Sequence, residues 1–202
     1  MRTFIRAVPG LLLAAGCGSG TVTPEVQSPA RYDPTAMTTA AFAEYDRDKN
    51  GSLEGAELDA CPALKGSLAG IDTNRDGKIS TAELKARFEG YAAANTGSVS
   101  VTVSVTLDGA PLADATVQFV PEAFMGGAVQ EATGTTGADG VTTSFTTGGK
   151  TYAGLQPGLY KVKVTRGTGK DLPARYNTQT ILGAEVFGGR GTRPISFALS
   201  SR

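Results

Sequence analysis

The chain has 202 residues, 19 basic and 19 acidic side chains, two cysteines and no histidine. Balanced charge argues against a nucleic-acid partner. The missing histidine removes histidine-ligated zinc and the Ser/His and Cys/His nucleophile pairs, so no enzyme activity is expected.

The chain opens MRTFIRAVPGLLLAAGCGSG, with Arg2 and Arg6 ahead of an apolar stretch over residues 7–16. That stretch is too short to cross a bilayer. A charged head, a short apolar run and small residues before a cysteine resemble a bacterial lipoprotein signal with AAGC as its lipobox. The resemblance implies removal of residues 1–16, lipidation of Cys17 and an exported chain held to a membrane of the cell envelope. Cleavage by an ordinary signal peptidase is the alternative. Residues 17–36 are rich in Gly, Ser, Thr and Pro, the composition of a flexible tether.

The next segment, residues 37–96, contains DRDKNGSLEGAE at 46–57 and DTNRDGKISTAE at 72–83. Each places oxygen-bearing side chains at positions one, three, five and twelve and a glycine at position six. A cation of calcium's size takes six to eight oxygens at about 2.3 to 2.6 Å, which a curled loop can supply. In the first loop these are Asp46, Asp48, Asn50, the carbonyl of Ser52 and both oxygens of Glu57. In the second they are Asp72, Asn74, Asp76, the carbonyl of Lys78 and Glu83. Gly51 and Gly77 stand where the chain must turn with positive φ. Both loops resemble the EF-hand calcium loop, which implies two bound calcium ions.

Apolar residues flank each loop at helical spacing: Phe42 and Tyr45 before the first, Leu68 and Ile71 before the second, Leu58 and Cys61, then Leu84 and Phe88, after them. Leu53 and Ile79 suit a short two-stranded bridge. Residues 58–71 must hold both an exiting and an entering helix, which Pro62 divides. Gly55, Gly66 and Gly70 each weaken a helix by about 1 kcal/mol relative to alanine. Cys61 is expected as a free, buried thiol.

From residue 97 the period changes to two. SVSVTVSVTL alternates apolar and hydroxyl residues, and further strands are expected near 115–120, 128–133, 141–147, 159–166, 179–187 and 194–200. GGKT at 148–151 is expected as a hairpin loop, since no helix follows it. Asp108, Asp114, Asp139 and Asp171 sit in turn-like sequence, where local hydrogen bonding is their expected role. Seven short antiparallel strands suggest a β-sandwich. The stretches TLDGAPLADATVQFVP, TTGADGVTTSF and LQPGLYKVKV resemble the carboxypeptidase regulatory-like domain, which implies a transthyretin-like sandwich over residues 97–202.

The expected whole is a multidomain α and β protein, an EF-hand pair followed by an antiparallel seven-stranded sandwich that folds without calcium. The expected function is that of a membrane-anchored, calcium-binding envelope lipoprotein with a structural or adhesive sandwich. The alternative is a calcium-responsive module presenting a site for an envelope protein or a glycan.

Overall fold

A computed structural model describes residues 27–167, 169, 171–188 and 194–202. Cys17 and the signal segment lie outside the described residues. The fold is mixed α and β, with four helices followed by two larger sheets among the described residues. Among the described residues no helix is long and apolar enough to cross a membrane.

Helix α1 (Pro34–Tyr45) starts because Asp33 caps it, accepting the Ala36 N–H at 3.0 Å, and because Pro34 occupies its first turn. Within the stretch expected as a flexible tether, residues 34–36 are helical. The Tyr32 hydroxyl donates to the Pro157 carbonyl at 2.7 Å, and its ring packs against Tyr91. Alanine and tyrosine at 30 and 32 supply apolar surface that the composition of the whole stretch conceals.

After α1 come β1 (Ser52–Leu53), α2 (Ala56–Ala60), α3 (Pro62–Ile71), β2 (Ile79–Ser80) and α4 (Thr81–Ala94). Leu53 pairs with Ile79 across the β1/β2 bridge, and both are fully buried, as their positions predict. Pro62 opens α3, and Cys61 is free and buried.

The sheet half comprises β3 (Val103–Leu107), β4 (Ala110–Pro111), β5 (Ala115–Pro121), β6 (Ala132–Thr135), β7 (Val141–Thr142), β8 (Phe145–Thr147), β9 (Lys150–Tyr152), β10 (Gly158–Arg166), β11 (Leu182–Val186) and β12 (Ile195–Leu199). Six strands form one sheet in the order β11-β10-β5-β6-β8-β9; β12-β3-β4 form the other, with β7 also on β3. This corrects the expected seven antiparallel strands in several respects.

First, β12 runs parallel to β3, Ile195 opposite Val103 through Leu199 opposite Leu107. Alternation reveals which residues face inward and is silent on strand direction. Second, the single strand expected over 141–147 divides. Thr142 pairs with Val103 in one sheet and Phe145 with Tyr152 in the other, so the chain changes sheets between them. The strand expected near 128–133 begins only at Ala132, because a 3₁₀ turn at Ala123–Met125 carries Phe124 and Met125 into the core. Of the SVSVTVSVTL run only residues 103–107 form a regular strand; Val99 makes an isolated bridge to Leu155. GGKT is a hairpin: Thr147 pairs with Lys150 around Gly148 and Gly149, whose φ values of 57° and 79° suit a primed turn.

The two halves share one cluster of buried side chains running from Met37 through Phe88 to Val117, Val162 and Phe197. Phe124 joins them, edge-on to Tyr45 at 6.2 Å and 6.1 Å from Phe88. Helix α3 rests on β11 with backbone against backbone. A β-carbon on Gly183 would lie 2.1 Å from the Pro62 carbonyl, and one on Gly66 would lie 2.9 Å from the Gly183 oxygen. Glycines that weaken α3 as an isolated helix are what permit it to dock.

Candidate metal centre

Asp46 and Asp72 are the C-caps of α1 and α3, so each loop leaves its helix at the same point. The two backbones then follow one course. Position four is left-handed in both, at Lys49 (φ 59°) and Arg75 (φ 63°), and position six is Gly51 (φ 81°) and Gly77 (φ 82°). Nothing about Lys or Arg announces the first of these in sequence, whereas the glycines do.

The hydrogen bonds also repeat. At position one, Asp46 Oδ2 accepts the Gly51 N–H at 3.1 Å, and Asp72 Oδ2 accepts the Gly77 N–H at 2.9 Å. At position three, Asp48 Oδ1 accepts from the Asn50 N–H and Asn74 Oδ1 from the Asp76 N–H. At position five, Asn50 Oδ1 accepts the Ser52 N–H at 2.8 Å and Asp76 Oδ1 the Lys78 N–H at 2.9 Å. These bonds bend each loop around its own side-chain oxygens, and a carboxylate has about four lone-pair sites, so capacity for a cation remains.

The twelfth residues close the loops alike. Glu57 Oε1 accepts the Arg47 N–H and its Oε2 the Glu54 N–H; Glu83 accepts from Thr73 and Ser80 in the same manner. Glu83 is in addition the reciprocal partner of Ser80 in the capping box that starts α4. The Ser80 N–H foremost, with the Ser80 hydroxyl and the N–H groups of Thr73 and Asn74, holds the Glu83 carboxyl down to about 2.

Carboxylate oxygens of Asp46, Asp48 and Glu57 lie within 4.8 Å of one another. Oxygens bound to one calcium at about 2.3 to 2.6 Å can be no more than about 5 Å apart, so this cluster fits such an ion. The donor set is oxygen throughout, the preference of a hard cation. The side chain of Lys78, whose carbonyl is the predicted ligand, reaches across to pair with Glu54 of the first loop, which Asn50 Nδ2 also contacts at 3.3 Å.

Each loop is tied to the sheets by a carboxylate that local sequence patterns do not reveal. Glu122, at the end of β5, has a fully buried side chain and contacts Tyr45, Cys61 and Lys161. Burial raises its pKa, against the opposing pull of Lys161. Burial foremost, and then Glu122, push the Cys61 thiol up to about 12, which leaves it protonated and unreactive. Glu185 of β11 receives the Arg87 guanidinium through both oxygens and the Tyr91 hydroxyl, and Arg87 also lies over the Phe187 ring. Of the turn aspartates, Asp139 makes the expected local bond, accepting the Val141 N–H at 3.0 Å, while Asp108 and Asp114 adopt left-handed conformations.

The EF hand family model matches residues 70–88, a span that contains the whole second loop. No curated protein matches the chain, and no solved structure does. The EF-hand match over residues 70–88 and the acidic cluster at Asp46, Asp48 and Glu57 both support calcium as a ligand.

Proposed function

We propose that the protein binds two calcium ions, one in each of two paired EF-hand loops, and works as a lipid-anchored protein of the cell envelope. Its sheet half is a transthyretin-like sandwich with a structural or adhesive role. The observation that carries the calcium stoichiometry is the repeated loop geometry, down to the left-handed fourth residue and the clamp made by the twelfth. The second loop has a family match, and the first reproduces its course.

Isothermal titration of wild type, Glu57→Gln and Glu83→Gln tests this. Wild type should show two sites, and each variant should lose one, its affinity falling by more than about tenfold because a charged bidentate ligand is gone. Two unaltered sites in either variant would refute the ligand assignment. For the anchor, the lipobox-like AAGC carries the reading. Wild type expressed in a bacterial host should partition into detergent, and Cys17→Ala should not. A calcium-responsive module with a protein or glycan ligand is the second reading, favoured by the core that helices and sheets share.

A further inference from the structure

We infer that Glu122 couples calcium in the first loop to the folding of the sheets, so that calcium stabilises the β half as well as the helices. This rests on the reading of residues 46–57 as a calcium loop.

Helices α1 and α2 flank that loop, and one residue at the end of each reaches the same carboxylate. Tyr45, the last residue of α1, precedes the first ligand Asp46; its hydroxyl donates to Glu122 Oε2 at 3.4 Å. Cys61, the C-cap of α2, donates its thiol to Glu122 Oε1 at 3.4 Å. Glu122 is fixed from the sheet side: its N–H donates to the Leu159 carbonyl at 3.0 Å, and Lys161 Nζ lies 3.1 Å from Oε2. Leu159 and Lys161 both belong to β10, and Glu122 follows directly on β5, which pairs with β10 along Tyr160 to Arg166.

A change in the angle between α1 and α2 would separate Tyr45 from Cys61. A carboxylate held by β10 could not then keep both helix ends: Oε2 would retain Lys161, but Oε1 has the Cys61 thiol as its partner, and a buried acceptor without a donor is costly. The arrangement of α1 and α2 that satisfies Glu122 is one that calcium, by fixing the intervening loop, favours. Coupling of this kind is reciprocal: whatever calcium adds to sheet stability, docking at Glu122 adds to calcium affinity in the first loop.

Amide hydrogen exchange on the full chain, with calcium and with chelator, tests the coupling. A parallel calcorimetric titration in the Glu83→Gln background isolates the first loop. In wild type, calcium should slow exchange in β5 and β10 by about tenfold, within the usual range of coupling between sites. Glu122→Gln, which replaces one acceptor oxygen with a donor, should remove most of that protection and weaken the first loop by a similar factor. Should Glu122→Gln fail to fold, Tyr45→Phe keeps the ring against Phe124 and deletes only the hydroxyl; it should cut the calcium-dependent protection by severalfold. Calcium binding with unchanged exchange in β5 and β10 would overturn the inference while leaving the calcium reading intact. Absence of calcium binding by wild type would overturn the reading itself. Wild-type protection in the folded variants would show that coupling runs elsewhere.

Discussion

The two loops share a backbone course but hold the sheets through different carboxylates. The first is bracketed: Tyr45 before it and Cys61 beyond α2 both meet Glu122, whose charge faces a single lysine. The second is held through one strand: α4 presents Arg87 and Tyr91 to Glu185 of β11, and α3 packs backbone to backbone against the same strand at Gly183. A repeated ligand pattern therefore dictates repeated local geometry, while the surroundings decide what each loop can influence. The helices around the first loop meet at one buried carboxylate, whereas those around the second reach β11 at two separate points, Gly183 and Glu185.

Arg87→Ala should have the largest effect on this arrangement. It strips Glu185, whose side chain is only 10% exposed, of its bidentate partner and leaves the Tyr91 hydroxyl alone with a carboxylate. Breaking a buried pair costs about 3 to 5 kcal/mol, and the partial exposure of Arg87 places the expected loss near the lower figure. Urea unfolding measures it. Lys85→Ala, which removes an exposed pair with Glu89 on the same helix, is the control and should change stability by less than about 1 kcal/mol. Equal losses in the two variants would break the claim that α4 is anchored at Glu185.

Gly183→Ala tests how the second loop's entering helix is seated. The three atoms nearest the new methyl would be backbone atoms of Pro62 and Ala63, so α3 must move, at a cost of about 1 to 3 kcal/mol. Gly66→Ala sets two effects against each other. The tighter approach to the Gly183 oxygen opposes a gain in helix propensity of about 1 kcal/mol, so its net effect should be smaller. Denaturant midpoints for the two variants should rank Gly183→Ala as the more damaging. The reverse ranking would mean that α3 is held by its own helicity and not by its seat.

The contrast between the two glycines also shows what was legible in the sequence. Features with a local cause could be read directly: the turns at Gly51 and Gly77, the Leu53/Ile79 pair, the break at Pro62, the buried Cys61 and the Gly148-Gly149 hairpin. Gly66 was legible as a helix weakener but not as a point of contact, because Gly183 is distant in sequence. For the same reason alternation could not disclose the parallel pairing of β12 with β3, the change of sheet between Thr142 and Phe145, or the meeting of Tyr45 with Glu122, 77 positions away. Partner choice over such distances depends on the whole packing and leaves no periodic trace. The docking of Tyr32 escaped for a related reason, since it finds its partners in Pro157 and Tyr91.

The anchor of the first loop should also give the molecule a pH dependence. The groups around Glu122 are Tyr45, Cys61 and Lys161, with Glu44 adding a weaker unfavourable charge. The folded pKa of Glu122 lies above that of an unfolded glutamate, about 4.3. Its contribution to stability is therefore complete below that value and is lost as pH rises through the folded pKa. In chelator, Glu122→Gln should show a flatter stability profile across this window than wild type, measured by urea unfolding at stepped pH. A wild-type profile that rises more steeply than the variant's over that range would invert the sign and contradict burial as the dominant influence on Glu122.

The smallest expected effect is at the contact between the loops themselves. Lys78 belongs to the second loop, yet its ammonium pairs with Glu54 of the first, which foremost raises the lysine's pKa, with Asp76 and Asp48 adding to the same effect. Calcium in the first loop would have to compete with that ammonium for the field of the same acidic side chains. Both partners are well exposed, so the pair contributes little and is screened by salt. Lys78→Gln keeps the backbone carbonyl that serves the second loop and removes only the charge. Calcium affinity of the first loop should therefore rise by about twofold to fivefold at low ionic strength and by less at physiological salt. Titration in the Glu83→Gln background reads the first loop alone. A weaker first loop would show that Lys78 holds Glu54 in a useful position, and the loops would then support each other through this contact instead of competing across it.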